Sequence, residues 1–178
     1  MEDGGAPGAG IEAEAKALAS VVRLRILRLC LDAELTNKEL ADRLGINPAT
    51  CLHHVRLLLR HGFLAPGEER RGARGAREIP YRATGKSWST PMGAGGQRIL
   101  IQTFLDELAL ADPEAATMSR LGVRLSPEGR EEMLREFSAL LQKYADAEAD
   151  PGGEPWSVFF VAHPDPQREG PAGKDGRP

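Results

Sequence analysis

The chain has 178 residues, a formal net charge of -3 and two cysteines, which suits one domain or a small domain with an appended segment. Two cysteines cannot build a disulfide framework, no window approaches the roughly 18 apolar residues of a membrane span, and the first residues do not read as a signal peptide. These features exclude a disulfide-stapled secreted protein and an integral membrane protein, and we expect a cytoplasmic protein without a membrane partner.

Charge is distributed unevenly along the chain. Residues 20–86 carry 13 Lys and Arg against 7 Asp and Glu, a balance of +6, whereas the remaining residues have a balance of -9. A basic segment in an acidic chain favours a surface that binds a polyanion, although a well-solvated face would have the same composition.

Composition divides the chain into five segments. Residues 1–10 and 165–178 are rich in Gly and small residues and are expected to be disordered. Gly, Ser and Pro accumulate in residues 87–96, which predicts a linker. This linker separates residues 11–86 from residues 97–164.

The first of these two regions has apolar residues at spacings that predict consecutive helices. Apolar residues from Leu18 to Cys30 recur every three or four positions, which predicts one amphipathic helix or a pair, with Cys30 on the apolar face. Thr36 and Glu39 form a capping box for a short helix that stops at Gly45. Asn47 then caps another helix, with Pro48 in its first turn. Because about three residues separate the last two helices, the segment is predicted to be a helix-turn-helix.

A hairpin is predicted directly after this motif. Phe63 and Leu64 on one side and Ile79, Tyr81 and Ala83 on the other alternate as short strands around a tip rich in Gly and Arg. A helix-turn-helix followed by a hairpin is a winged helix. The tip carries four arginines suited to following DNA phosphates or entering a minor groove, although a solvated loop that binds nothing is the simpler alternative: Arg70, Arg71, Arg74 and Arg77.

The second helix of the motif has two distinct faces. On a helical wheel Cys51, Val55 and Leu58 fall together and are expected to pack on the other helices. The opposite side is short, polar or basic and fits a major groove. With the capping residue, the predicted contacts from this helix are Asn47, Ala49, Thr50, His53, His54, Arg56 and Arg60.

Two other kinds of site are possible at Cys51, His53 and His54: a metal site and a catalytic site. Cys51 and His54 are three apart and could turn toward one zinc ion, but no further ligand is near and a core cysteine usually behaves as a small hydrophobe. General acid and base catalysis by the histidines would need a nucleophile or an orienting carboxylate, and no such pattern is present. We therefore predict no metal, no cofactor and no enzymatic activity.

Residues 97–164 are predicted to form a helix, strand, helix, strand unit. The helices begin near Arg98 and Ser126, and the strands are "MSRLGVRL" and "WSVFFVAH". The unit is short for an independent domain, so its apolar faces are expected to meet the winged helix or a second copy of the chain. An aromatic pocket from Trp156, Phe159 and Phe160 is the alternative to plain core. The fold class is α+β, mainly α.

The stretch "LTNKELADRLGINPATCLHHVRLLLRHGFL" resembles the ArsR/SmtB family of winged helix-turn-helix regulators over about residues 11–85. Thr50 stands at the small-polar start of the recognition helix, His54 and Val55 at the His-Leu step, and Gly62 at the strand entry. Leu52 replaces the serine that the family often has, and the Cys-x-Cys metal-sensing motif is missing. The related MarR family shares much of this pattern.

The resemblance implies a homodimeric regulator, a repressor in most such proteins, that binds a palindromic operator in double-stranded DNA. Residues 97–164 would then serve dimerisation, with an unidentified small-molecule effector as a weaker possibility. A winged helix that docks an acidic protein partner is the alternative function, and it would not select a palindrome.

Overall fold

The computed structural model describes residues 7–72, 75, 77–150 and 152–168. No helix in these ranges is long and apolar enough to cross a membrane. The described chain falls into two compact units that divide between Ala147 and Glu148. The first holds all the long helices and strands, which are α1 (Pro7–Leu18), α2 (Val21–Leu29), β1 (Leu35–Thr36), α3 (Asn37–Leu44), α4 (Pro48–Arg60), β2 (Leu64–Pro66), β3 (Arg70–Arg71), β4 (Arg77–Glu78), β5 (Pro80–Ala83), α5 (Gly93–Leu108) and α6 (Pro127–Ala145).

The predicted winged helix is confirmed, and its hairpin is divided into two small sheets. At the base, β5 pairs antiparallel with both β1 and β2, in the order β1-β5-β2. At the tip, β3 pairs with β4, with Arg70 opposite Glu78 and Arg71 opposite Arg77. The strand β1 was not predicted, because two residues are too few to give a periodic signal.

The hydrophobic core lies between α2, α3, α4 and the three-stranded sheet. Its fully buried side chains include Ile26, Leu40, Val55, Leu58 and Phe63. Both cysteines are buried in the same core. The apolar face predicted for the second helix of the motif is confirmed, since Cys51, Val55 and Leu58 are all 0% exposed.

Local sequence sets the turn between α3 and α4. The Thr36 hydroxyl accepts from the Glu39 amide at 3.3 Å, and the Glu39 carboxylate accepts from the Thr36 amide at 2.7 Å, so the capping box is complete. Gly45 ends α3 with φ of +64°, a left-handed conformation that glycine adopts without steric cost. The Asn47 side chain then accepts from the Ala49 amide at 2.8 Å and begins α4.

Part of the predicted linker is helical. A short 3₁₀ turn occupies Lys86–Trp88, and α5 begins at Gly93, inside residues 87–96. α5 packs against α1 and α2. Arg28 of α2 forms an ion pair with Glu107 of α5, with 2.9 Å between Nε and Oε2. The two compact units divide about fifty residues later, between Ala147 and Glu148.

The two strands predicted in residues 97–164 are wrong. Neither "MSRLGVRL" nor "WSVFFVAH" pairs as a strand in the described chain, and Leu121 and Val158 remain 78% and 73% exposed. A strand exists only when a neighbour completes its hydrogen bonds, and no segment among the described residues does so here. The two helices of the region, α5 and α6, are present as predicted.

The predicted disordered ends lie mostly outside the described residues. At the N-terminus, α1 begins at Pro7, inside the stretch 1–10, and residues 1–6 are not described. At the other end, Pro166–Arg168 form a 3₁₀ turn, and residues 169–178 are not described.

Candidate nucleic-acid interface

The face of α4 opposite the core is open to solvent. It presents short and basic side chains, and every one of them is exposed: Ala49, Thr50, His53, Arg56 and Arg60. Two short residues near the start of a helix and arginines further along are the arrangement with which a recognition helix approaches base edges and phosphates. The sequence-based prediction of this face therefore agrees with its position in the structure.

Two of the predicted contacts on this helix have internal partners. The side-chain oxygen of Asn47 accepts a hydrogen bond from the amide of Ala49 and so caps α4. His54 is half-buried and lies against α2, where the Nη1 atom of Arg23 is 3.5 Å from its Nδ1 atom. Since a guanidinium can only donate, Nδ1 must accept, and the ring hydrogen of neutral His54 lies on Nε2.

Burial is the main cause of the lowered pKa of His54. Burial first, and then the charges of Arg23 and His53, lower the pKa of His54 below its ordinary value. The side chain of Arg23 is also hydrogen-bonded at the end of α1, since it donates to the carbonyl oxygens of Lys16, at 2.9 Å, and Ala17. His54 thus joins the recognition helix to the end of α1 and the start of α2.

The N-terminus of α3 connects the recognition helix with the wing. Asn37 donates from Nδ2 to the carbonyl oxygen of Pro48 at 3.0 Å, which places the start of α3 beside the start of α4. Glu39, two residues further, accepts from Arg70 of the wing at 2.7 and 2.8 Å. The beginning of α4 and the wing therefore meet at the same end of α3.

The wing arginines are not equivalent. Arg70 pairs with Glu39, and the Nε atom of Arg77 lies 3.2 Å from a carboxylate oxygen of Glu69. Arg71 is exposed and has no ion pair with a described residue. Arg74 lies outside the described residues. A count of arginines alone therefore overstates the positive charge that the wing offers to a ligand.

Comparison with known families gives a match over this same region. Residues 18–66 match the family model described as "Helix-turn-helix domain". The matched range covers α2, β1, α3, α4 and the strand after them. Residues 18–66 are a helix-turn-helix domain.

Several solved structures resemble the chain that contains this helix-turn-helix domain. HlyU from Vibrio cholerae is 26% identical, with 59% of this chain and 97% of that chain covered and a TM-score of 0.36. An ArsR-like transcriptional regulator from Rhodococcus sp. RHA1 is 20% identical, with 79% and 94% covered and a TM-score of 0.38. NolR from Sinorhizobium fredii is 23% identical, with 63% and 100% covered and a TM-score of 0.34.

All three TM-scores lie below 0.5, so the assignment of the helix-turn-helix domain depends on the family model and on the geometry. The helix-turn-helix predicted from the sequence is confirmed for residues 18–66. A search of curated proteins finds no match to the chain.

Contacts between distant segments of the winged helix were not predicted from sequence. Arg23 meets His54, and Glu39 meets Arg70, each across 31 positions of the chain. Burial raises the pKa of the Tyr81 hydroxyl, and Arg56 of α4 is close enough to oppose that shift. Capping and periodicity are local signals and carry no information on such pairs.

Cys51 packs in the core of the helix-turn-helix domain and does not face His53. Burial raises the pKa of both thiols, that of Cys30 to about 11, with the nearby Cys51 adding to the shift there. Within the described ranges, His, Cys, Asp and Glu side chains form no group of three or more that could hold a metal ion. In the second unit, Trp156 is 68% exposed and so does not line an enclosed pocket.

Proposed function

We propose that this protein is a cytoplasmic, sequence-specific regulator of transcription that acts as a repressor, and that it binds a palindromic operator as a homodimer. The observation that carries the proposal is the meeting of the α4 N-terminus and the wing at the N-terminus of α3, through Asn37 and Glu39. One face of the molecule thereby offers a helix for a major groove and a basic hairpin for the flanking backbone. We propose no enzymatic activity.

Three exposed residues of α4 are proposed to contact DNA. Thr50 and His53 are exposed on the first two turns of α4 and are proposed to contact base edges. Arg56 is exposed one turn further and is proposed to contact guanine or phosphate. For Asn47 and His54, the internal contacts argue for a role inside the domain, in capping α4 and holding it against α2.

The proposed homodimer rests on apolar side chains that the single chain leaves open. In the accessory helices α5 and α6, Leu105, Leu140 and Tyr144 are 49%, 50% and 68% exposed. Apolar surface of this kind, close to a fold that contacts a symmetric operator, suits a two-fold interface with a second copy. Light scattering coupled to size-exclusion chromatography should give twice the monomer mass, and a monomer at micromolar concentration would contradict this part of the proposal.

The test of DNA recognition is selection of duplexes from a random pool by the full chain. We expect one enriched palindrome, and steep loss of affinity for it with rising salt because bound phosphates release counterions. Arg56→Ala should cost about 1–3 kcal/mol of discrimination at one position of each half-site. Arg98→Ala is the matched control, since Arg98 is exposed near the start of α5, outside the helix-turn-helix.

Two outcomes would count against this function. If the pool yields no enriched sequence while an acidic protein partner binds the basic face, the helix-turn-helix domain is a protein-docking module. If Arg56→Ala and Arg98→Ala lose the same affinity for every duplex, the α4 face does not contact bases.

A further inference from the structure

Among the described residues, the β3–β4 ladder at the tip of the wing has one ion pair to a helix. The ladder pairs with itself and is separate from the three-stranded sheet at the base. Within the described parts of the chain, the ion pair between Arg70 and Glu39 is the one that links this ladder to a helix. The orientation of the tip therefore depends on what holds Glu39.

Glu39 is held more firmly than a surface carboxylate usually is. Its Oε2 atom accepts from the Thr36 amide at 2.7 Å, as the second half of the α3 capping box. The hydrogen bond from Thr36 and the charges of Arg70 and Arg43 keep the pKa of Glu39 below its ordinary value. An exposed ion pair usually contributes little because two flexible chains must be ordered, but here the backbone has already ordered one of them.

Arg70 donates hydrogen bonds to the carboxylate of Glu39. Its Nη2 atom donates to both oxygens of Glu39, at 2.8 and 2.7 Å, although its side chain remains 45% exposed. Arg71, the next residue, is exposed and has no such partner among the described residues. The two neighbouring arginines thus have different surroundings.

We propose that Glu39 is a positioning residue for DNA binding: through Arg70 it fixes the wing relative to the recognition helix, and Arg71 is the wing arginine that meets phosphate. This inference rests on the proposed DNA-binding function. It differs from the expectation drawn from the sequence, in which Arg70 contacts DNA like the other wing arginines.

Substitution of Glu39 separates positioning from simple charge. Glu39→Gln keeps an oxygen for the capping box but removes the negative charge that holds Arg70. Electrostatics alone predicts tighter DNA binding, because a negative charge near phosphates disappears. If Glu39 positions the wing, the substitution lowers the affinity for DNA instead, and we expect binding weaker by about two- to fivefold.

The matched control for this substitution is Glu68→Gln. Glu68 is exposed in the same wing and has no ion pair with a described residue. We expect this variant to bind as tightly as the wild type or more tightly. If Glu39→Gln binds as tightly as Glu68→Gln, Glu39 does not position the wing and the proposal is overturned.

The salt dependence of binding distinguishes the two arginines. Arg71→Gln should reduce the slope of log K against log salt by about 1, the effect of one lost phosphate contact. Arg70→Gln should weaken binding with a smaller change in slope. Equal reductions of the slope would make Arg70 a phosphate ligand and overturn the assignment.

A measurement without DNA keeps the inference separate from the proposed function. Heteronuclear ¹⁵N relaxation of the free protein reports the order of the wing amides at residues 70, 71, 77 and 78. We expect Glu39→Gln to lower this order and Glu68→Gln to leave it unchanged. Unchanged order in Glu39→Gln would overturn the inference, whereas a failure of the wild type to bind DNA would overturn the proposed function alone.

Discussion

Arg23 of α2 holds His54 of α4 by an Nη1 to Nδ1 contact of 3.5 Å, while the same guanidinium binds carbonyl oxygens at the end of α1. A positive charge near the last carbonyl groups of a helix is favourable, so Arg23 is well placed there. Burial and the neighbouring charge of Arg23 lower the pKa of His54. The neutral ring is thus the form that fits the fold.

The state of His54 predicts a pH dependence of stability. The pKa of His54 in the folded protein lies below the ordinary value of 6.5, so the unfolded chain binds the proton more readily. The contribution of this histidine to the free energy of unfolding is fully present above pH 6.5 and is lost as the pH falls through the folded pKa. Urea unfolding of the wild type between pH 5 and 7.5 should show this loss, and His54→Gln should reduce it.

The control for the pH experiment is His163→Gln, since His163 lies in the second compact unit and is exposed. This variant should keep the pH dependence of the wild type. If His54→Gln keeps it as well, the interaction with Arg23 and the burial of the ring do not govern stability in this range.

The α3 capping box predicts a stability difference between two N-cap residues. Thr36 caps α3 with its hydroxyl, whereas Ser20 stands at the N-cap of α2 without a side-chain capping bond. We expect Thr36→Ala to lower the free energy of unfolding by about 0.5–2 kcal/mol and Ser20→Ala to have little effect. Chemical denaturation measures both, and equal losses would mean that the capping bond contributes nothing.

The position of Cys51 predicts an unreactive thiol. Both cysteines are buried, and burial raises the pKa of each. Iodoacetamide at pH 8 should leave Cys30 and Cys51 unmodified in the folded protein and label both in urea, because the thiolate is the reactive form. Labelling of Cys51 in the folded protein, detected by mass spectrometry, would show that it reaches the surface of α4 after all.

The core face of α4 predicts a large effect of cavity formation. Leu58 is 0% exposed, and Leu58→Ala should lower the free energy of unfolding by about 2–5 kcal/mol. Leu121→Ala removes the same atoms from a side chain that is 78% exposed and should change stability by less than about 0.5 kcal/mol. Similar losses in the two variants would contradict the placement of the core.

What the amino-acid sequence determined by itself is the local part of this protein. Thr36 and Glu39, Gly45, and Asn47 with Pro48 specify where two helices begin and end, because capping depends on residues within one turn of each other. The spacing of Cys51, Val55 and Leu58 specifies which side of α4 is buried, because helical periodicity is fixed. The winged helix and the exposed side of its recognition helix follow from these signals.

Only the tertiary structure decided how distant residues meet. It placed Arg70 on Glu39 and His54 against Arg23, although 31 residues separate the members of each pair. In the part of the chain that the structure describes, it also gave no strand partner to the two apolar stretches after α5 and α6. Ion pairs and strand pairing depend on where the folded chain brings its segments together, which a local pattern does not encode.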